Sequence, residues 1–364
     1  VCYNFLRCNT LKIAEVNLKM HMADALISPA VGGVMWAATA GAAAYSGKVV
    51  HQELSEDKVP LMGVLGAFIF AAQMINFAIP GTGSSGHLGG GMILAILLGP
   101  AAGFLTMASI LIIQALFFAD GGLLALGCNI FNMGFFTCFL AYPLIYRPIV
   151  RQGATQGRII TGSLLAAIVG LQLGALGVVI ETVASGLTNL PFSTFAMIMQ
   201  PIHLAIGVVE GLITAAVITF LGKARPEMLR NSSGPAARRS FRPVIVTLMV
   251  IALFTAGVLA WFASADPDGL EWSLARATGK EELRTSSPVH DWLGKLQEKI
   301  AFLPDYGFKP APEKPEAQAG PARGTHIDGG TSVAGLVGAL FTLGLAFALG
   351  FGLKRFAKRS GEPD

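Results

Sequence analysis

Charge is what this chain has least of. Only 13% of its 364 residues are Asp, Glu, Lys or Arg, against 53% hydrophobic. Soluble domains carry about 25% charged residues, so so little charge points to a membrane protein. Cysteine is scarce too. Cys2, Cys8, Cys128 and Cys138 show no paired spacing, which argues against a disulfide framework or a cysteine zinc site. No Walker-type glycine-lysine motif is present, so the chain does not hydrolyse ATP itself. A His-Glu-x-x-His helix and paired catalytic carboxylates are also missing, which disfavours a metal-dependent membrane protease. The net charge of +4 sits in short clusters beside apolar runs. That is the positive-inside pattern of a membrane protein and not a nucleic-acid surface.

Apolar length is abundant instead. Runs cover about 28–46, 61–79, 91–118, 123–146, 159–181, 201–222, 243–263 and 332–353, and about 20 residues cross a ~30 Å hydrocarbon core. The 44 glycines suit close helix packing in lipid. Clusters at Arg147/Arg151/Arg158, Lys223 to Arg242, and Lys354/Arg355/Lys358/Arg359 read as cytoplasmic. The mixed 47–60 loop is placed with them, which puts His21 and His87 outside. Reaching an inside Arg147 from an outside His87 then takes an odd number of crossings. Gly99-Pro100 divides the 91–118 run, so the expectation is a short helix around 85–99, a second over 101–118 and a third over 123–146. The alternative is a re-entrant segment at 88–100.

The predicted fold is an all-α, polytopic membrane helical bundle of about seven helices with a two-helix C-terminal module. Residues 1–19 have no continuous apolar core or cleavage site and read as a non-native extension ahead of a first residue Met20. Residues 20–222 form the membrane domain, 223–242 a cytoplasmic linker, and 243–355 the module with an external loop at 264–331. Within that loop, Lys309-Pro310-Ala311-Pro312-Glu313-Lys314-Pro315-Glu316 is expected to be an extended or disordered spacer.

The candidate chemistry starts at Met20-His21-Met22. With Met20 first, its free amine, the His21 amide nitrogen and the His21 imidazole close two fused chelate rings on one ion. Three nitrogens in a plane suit Ni(II) or Cu(II), and related divalent metals less well. His87, in Gly81-Thr82-Gly83-Ser84-Ser85-Gly86-His87-Leu88-Gly89-Gly90-Gly91, is the candidate fourth nitrogen, and its glycines let backbone approach closely. His203 and Glu210 share an apolar helix. They are either functional, with His203 supporting the ligands, or structural bonds to neighbouring helices. Gln114, Asp120, Asn129 and Asn132 either orient the histidines or bond between helices. Glu181 closes another helix, in such a polar role or equally as an interfacial cap. His51, His290 and His326 read as solvated loop residues, and Met35 and Met92 as packing.

Met20-His21-Met22-Ala23-Asp24-Ala25-Leu26-Ile27-Ser28-Pro29 resembles the start of the CbiM/NikM family, the substrate-capture (S) components of energy-coupling factor transporters for cobalt and nickel. The resemblance continues through Asn76-Phe77 to Gly86-His87-Leu88, Gln114 to Gly121-Gly122, Asn129 to Gly134, and His203 to Glu210-Gly211, and covers roughly 20–222. Pro267-Asp268-Gly269-Leu270-Glu271 resembles the PDGLE module of NikN/CbiN-type auxiliary subunits, over about 241–355. The resemblance implies square-planar binding by Met20, His21 and His87. It also implies a separately encoded membrane coupling (T) subunit and two ATP-binding subunits. The transported ion is then Ni2+ or Co2+, nickel favoured on geometry, with no prosthetic group and no nucleic-acid partner. The location implied is the cytoplasmic membrane of a prokaryote, with the site facing outside. Two departures stand out: the extension 1–19, which would block the amine, and Met22-Ala23-Asp24 after His21, where Asp24 keeps the acidic position. A membrane sensor or scaffold that binds the ion without moving it is the alternative.

Overall fold

The computed structural model describes residues 21–55, 58–188, 190–224, 242–279, 287–309 and 329–360. Among them the helices are α1 (Pro29–Glu53), α2 (Val59–Gln73), α3 (Gly91–Leu98), α4 (Pro100–Phe118), α5 (Leu126–Arg151), α6 (Gln156–Ser185) and α7 (Phe192–Ala224). The C-terminal region adds α8 (Arg242–Gly257), α9 (Gly269–Thr278), α10 (Pro288–Ile300) and α11 (Gly329–Ser360). The chain is a helical membrane bundle. Five helices, α4, α5, α6, α7 and α11, are long and apolar enough to cross by length and composition.

Local sequence explains most boundaries. Ser28 caps α1, its Oγ accepting from Val31 N, and Pro29 occupies the first helical position, where its missing N–H costs nothing. Thr155 caps α6 in the same way, and Gly186 ends that helix in the left-handed region. The middle of α5, Phe131–Tyr146, has the wider π-type winding with Pro143 inside it, whose ring cannot follow an α-helical ladder. Helices α6 and α7 lie against one another along their length. A Cβ on Gly207 would meet Ile168 Cα at 3.0 Å and one on Gly211 would meet Leu164 Cα at 2.6 Å. Small residues at such crossings bring backbones together where lipid offers no hydrophobic drive.

Among the described residues seven helices precede residue 225, as expected, but their boundaries differ. The 61–79 run is helical only to Gln73. Phe77–Ile79 is a strand, β1, pairing antiparallel with β2 (Ser84–Gly86). The short helix expected at 85–99 begins at Gly91 because Gly90 is left-handed, φ 79°. Its eight residues span about 12 Å, so α3 is a half-length insert, and residues 87–90 reach into the bundle as extended chain.

The C-terminal region has its two long helices and more. Helices α8 and α11 pack against each other and against α2. The loop between them was expected to be a polar external stretch containing an extended or disordered spacer. Its described part instead carries α9 and α10, which lie on α7 and α4. The proline-rich spacer lies outside the described residues from Pro310 on, as do Cys2, Cys8, Met20 and His326. His290 is a correction. It is buried, with Nε2 at 3.0 Å from Asp24 O and 2.9 Å from Ile27 O. Two carbonyls around one ring nitrogen make Nε2 the N–H donor, and Nδ1 faces Ser287 Oγ at 2.6 Å. His51 is only half-exposed, Nδ1 against Leu353 O at 2.9 Å, and Lys354 Nζ donates to His51 O at 3.1 Å.

Candidate metal site

One cavity of about 110 Å³ gathers most of the singled-out residues. His21, Met22, His87, Asn129, Asn132, His203, Glu210 and Asp268 all line it. His21 is 5% exposed, and its ring centroid lies 5.3 Å from that of His87. Its Nδ1 is 3.0 Å from Asp120 Oδ2. That contact gives Nδ1 a charged partner, whereas the buried Nε2 makes no hydrogen bond among the described residues. A buried polar atom without a partner is rare and calls for an explanation such as an ion. No three His, Cys, Asp or Glu side chains converge as a metal set among the described residues. What the cavity brings together in side chains is two imidazoles, those of His21 and His87.

The segment carrying His21 is held by its neighbours through backbone bonds. Asn129 presents both ends of its amide to Met22: Met22 N donates to Oδ1 at 3.2 Å, and Nδ2 donates to Met22 O at 3.1 Å. Gly122 N donates to the same carbonyl at 3.0 Å. Asp24 Oδ1 accepts from Ala125 N at 2.9 Å, and burial pushes the Asp24 carboxyl above its usual range despite that bond. His290, from α10, closes the other side. Residues 21–27 thus dock as a strap across the start of α5.

The segment carrying His87 is held from two sides. Glu210 sets Oε2 on Gly89 N at 2.9 Å and Oε1 on Gly90 N at 3.1 Å. These N–H groups lie at the start of α3, where a carboxylate is favoured. Gln114 Nε2 donates to Gln73 Oε1 at 2.9 Å, and Gln73 Nε2 donates to Gly89 O at 2.9 Å. Glycine is required here: a Cβ on Gly89 would meet Glu210 Oε2 at 2.7 Å, and one on Gly90 would meet Ile69 at 2.5 Å.

The polar residues singled out in the sequence make the following contacts. Glu210 and Gln114 hold the His87 segment, and Asn129 holds the His21 segment. Asp120 faces His21 itself. Burial alone would raise the Asp120 carboxyl, but the charge and contact of His21 and a hydrogen bond from Tyr306 bring it below the usual carboxylate range. His203 lines the cavity with Nδ1 at 2.9 Å from Met199 O. A carbonyl there makes Nδ1 the N–H and leaves the Nε2 lone pair free of a proton. Asn132 donates to Glu181 Oε2 at 2.7 Å, so Glu181 is a buried partner between helices and not an interfacial cap. Asn76 is buried but does not line the cavity; its carbonyl accepts from Ser264 N at 2.7 Å. Sequence reasoning missed Gln73, His290 and Tyr306. A glutamine inside the apolar 61–79 run was the visible signal for the first.

The Pro267–Glu271 motif meets the same site. Ser85 N donates to Pro267 O at 2.8 Å, and Ser85 Oγ to Asp266 O at 2.7 Å. The motif thereby joins the β1–β2 hairpin beside His87. Asp268 then caps α9, its Oδ1 accepting from Glu271 N at 2.8 Å. Burial, then the Glu271 charge, pushes the Asp268 carboxyl well up.

Known proteins carry the same two parts. A family model described as cobalt uptake substrate-specific transmembrane region matches residues 21–228, and a PDGLE domain model matches 242–355. A fused NikMN chain of Archaeoglobus fulgidus is 32% identical over 339 residues, 93% of this chain and 99% of its own length. The fused nickel transport protein NikMN of Rhodobacter capsulatus is 32% identical over 262 residues, 66% of this chain and 74% of its own. A crystal structure of a transition metal transporter superposes with a TM-score of 0.51 at 32% identity, covering 57% of this chain and 95% of its own. Two histidines brought together from the start and the hairpin of one helical bundle thus stand within a chain that belongs to the cobalt-uptake substrate-specific transmembrane family, fused to a PDGLE domain.

Proposed function

We propose that this chain captures Ni(II), in preference to Co(II), between His21 and His87, and passes it inward as the substrate-binding component of an ATP-driven energy-coupling factor transporter. The observation that carries the reading is the buried His21 imidazole. Its Nε2 lacks a hydrogen-bond partner among the described residues, its Nδ1 faces the Asp120 carboxylate, and the ring lies against His87. A cation there satisfies the imidazole and the carboxylate together, which no apolar ligand can do. In this reading the Met20 amine and the His21 amide complete the ligand set. Planar nitrogen ligation then favours Ni(II).

In the same reading residues 20–222 capture the ion, 223–242 link, and 243–355 assist. The site lies where α1 and α5 begin and α4 ends. Basic residues Arg151, Lys223 and Lys354 lie at the far ends of α5, α7 and α11. That polarity supports a site facing outside. The chain has no ATP-binding motif of its own, so the energy comes from a membrane coupling subunit and two ATP-binding subunits. Uptake of radioactive nickel by cells carrying the chain with and without those subunits tests this. Accumulation that disappears with the ATP-binding subunits supports transport, whereas binding with no accumulation in either strain establishes the sensor reading instead. Cobalt competing as well as nickel overturns the preference.

A further inference from the structure

Three residues other than glycine have left-handed backbone among the described residues: Ala119 (φ 54°), Asp305 (φ 50°) and Tyr306 (φ 58°). All three flank a single hydrogen bond. Tyr306 Oη donates to Asp120 Oδ2 at 2.6 Å, and that oxygen is the one 3.0 Å from His21 Nδ1. Side chains disfavour this region of backbone space. Where such conformations persist, the surroundings over-determine them, and they cluster at functional sites.

The surroundings here are specific. Leu303 N donates to Phe117 O at 3.2 Å, and Gln297 Nε2 donates to Ala115 O at 2.9 Å and Gly121 O at 2.7 Å. The Tyr306 ring is buried and stacked on Phe118, centroids 4.9 Å apart at 12°. The two sides of the bond come from different parts of the chain, the α4–α5 turn and the stretch after α10. Each bends into an unfavourable backbone to reach the other.

We propose that Tyr306 is a positioning residue of the metal site, whose hydroxyl fixes the Asp120 carboxylate that faces His21. The C-terminal region thereby completes the site from outside the capture domain. This rests on the reading that His21 binds the ion. The chelate with the His21 amide uses Nδ1, so a carboxylate 3.0 Å from that atom lies beside the ion itself. Losing the group that holds such a carboxylate in place typically weakens metal affinity about 10–100-fold.

The experiment is Ni(II) affinity of the chain beginning at Met20, measured by competition with a chromogenic chelator, for wild type, Y306F, D120N and the double variant. Y306F keeps the stacked ring and removes only the hydroxyl. The expected result is roughly tenfold weaker binding in Y306F, with no further loss when Y306F is added to D120N. W272F serves as a docking control, since Trp272 Nε1 bonds Thr82 O at 3.1 Å through the same loop. It leaves the Tyr306–Asp120 bond in place and is expected to bind within about twofold of wild type, as changes that share no partner with an interaction usually act independently of it. Wild-type affinity in Y306F overturns the proposal. So does a loss that adds to that of D120N, or an equal loss in W272F. Should Y306F not fold, D120N alone at wild-type affinity overturns it as well. H21A at wild-type affinity sinks the underlying reading, a separate and recognisable outcome.

Discussion

Replacing Glu210 by Gln tests how the His87 segment is held. The carboxylate takes two backbone N–H groups at once, Gly89 at 2.9 Å and Gly90 at 3.1 Å, and is itself 1% exposed. A hydrogen bond to a charged acceptor contributes about 1.5–3 kcal/mol. Glutamine keeps one carbonyl acceptor and turns an NH2 toward the other N–H. One charge-assisted bond becomes neutral and the other becomes donor against donor. The loss at residues 89–90 is therefore about 2–4 kcal/mol. Some of it is recovered by water, because Gly89 borders the cavity. With about half of it felt by the ion, nickel affinity falls roughly 5- to 30-fold, since 1.4 kcal/mol is tenfold. Competition with a chromogenic chelator reads this directly, alongside a melting curve to show that the bundle survives. Wild-type affinity in E210Q would refute the reasoning, because the His87 segment would then need no anchor from α7.

The other predictions concern the strap at 21–27. N129A removes both bonds to Met22, a loss of about 1–3 kcal/mol; limited proteolysis is expected to cut near residue 21 faster and nickel affinity to fall, and unchanged cleavage contradicts it. H290A removes the donor to Asp24 O and Ile27 O and is expected to lower Tm and expose the same segment; an unchanged Tm counts against the C-terminal clamp. D24N behaves oppositely. Burial raises the Asp24 carboxyl, so its ionised form costs stability above the ordinary carboxylate range, and that cost fades as pH falls and the group protonates. Asparagine keeps the acceptor for Ala125 N without the charge. Tm at pH 7.5 is expected to stay level or rise and to converge with wild type in acid; a clear fall at pH 7.5 contradicts this.

Apolar run lengths and the Gly99-Pro100 break made the bundle and the number of helices before residue 225 legible among the described residues, because lipid favours apolar helices and proline opens a new one. The Gly90 break was not legible, since a run of three glycines does not say which one turns left-handed. His21, His87 and Asp120 could be picked out by type and setting. What they touch could not. Asn129 and Glu210 act on backbone groups of distant segments, and such pairings leave no mark in the local pattern. The C-terminal loop was misread for a related reason. Helix α10 is amphipathic and polar overall, so it resembles solvated sequence until His290 and Gln297 are seen bonding into the capture domain.

X-ray absorption at the nickel edge of the loaded protein, with H21A and H87A beside it, tests the central claim most directly. The account predicts one ion per chain in a nitrogen-only shell, with imidazole scattering reduced in H87A and the ion lost in H21A. An oxygen-rich six-coordinate shell unchanged in both variants would contradict it.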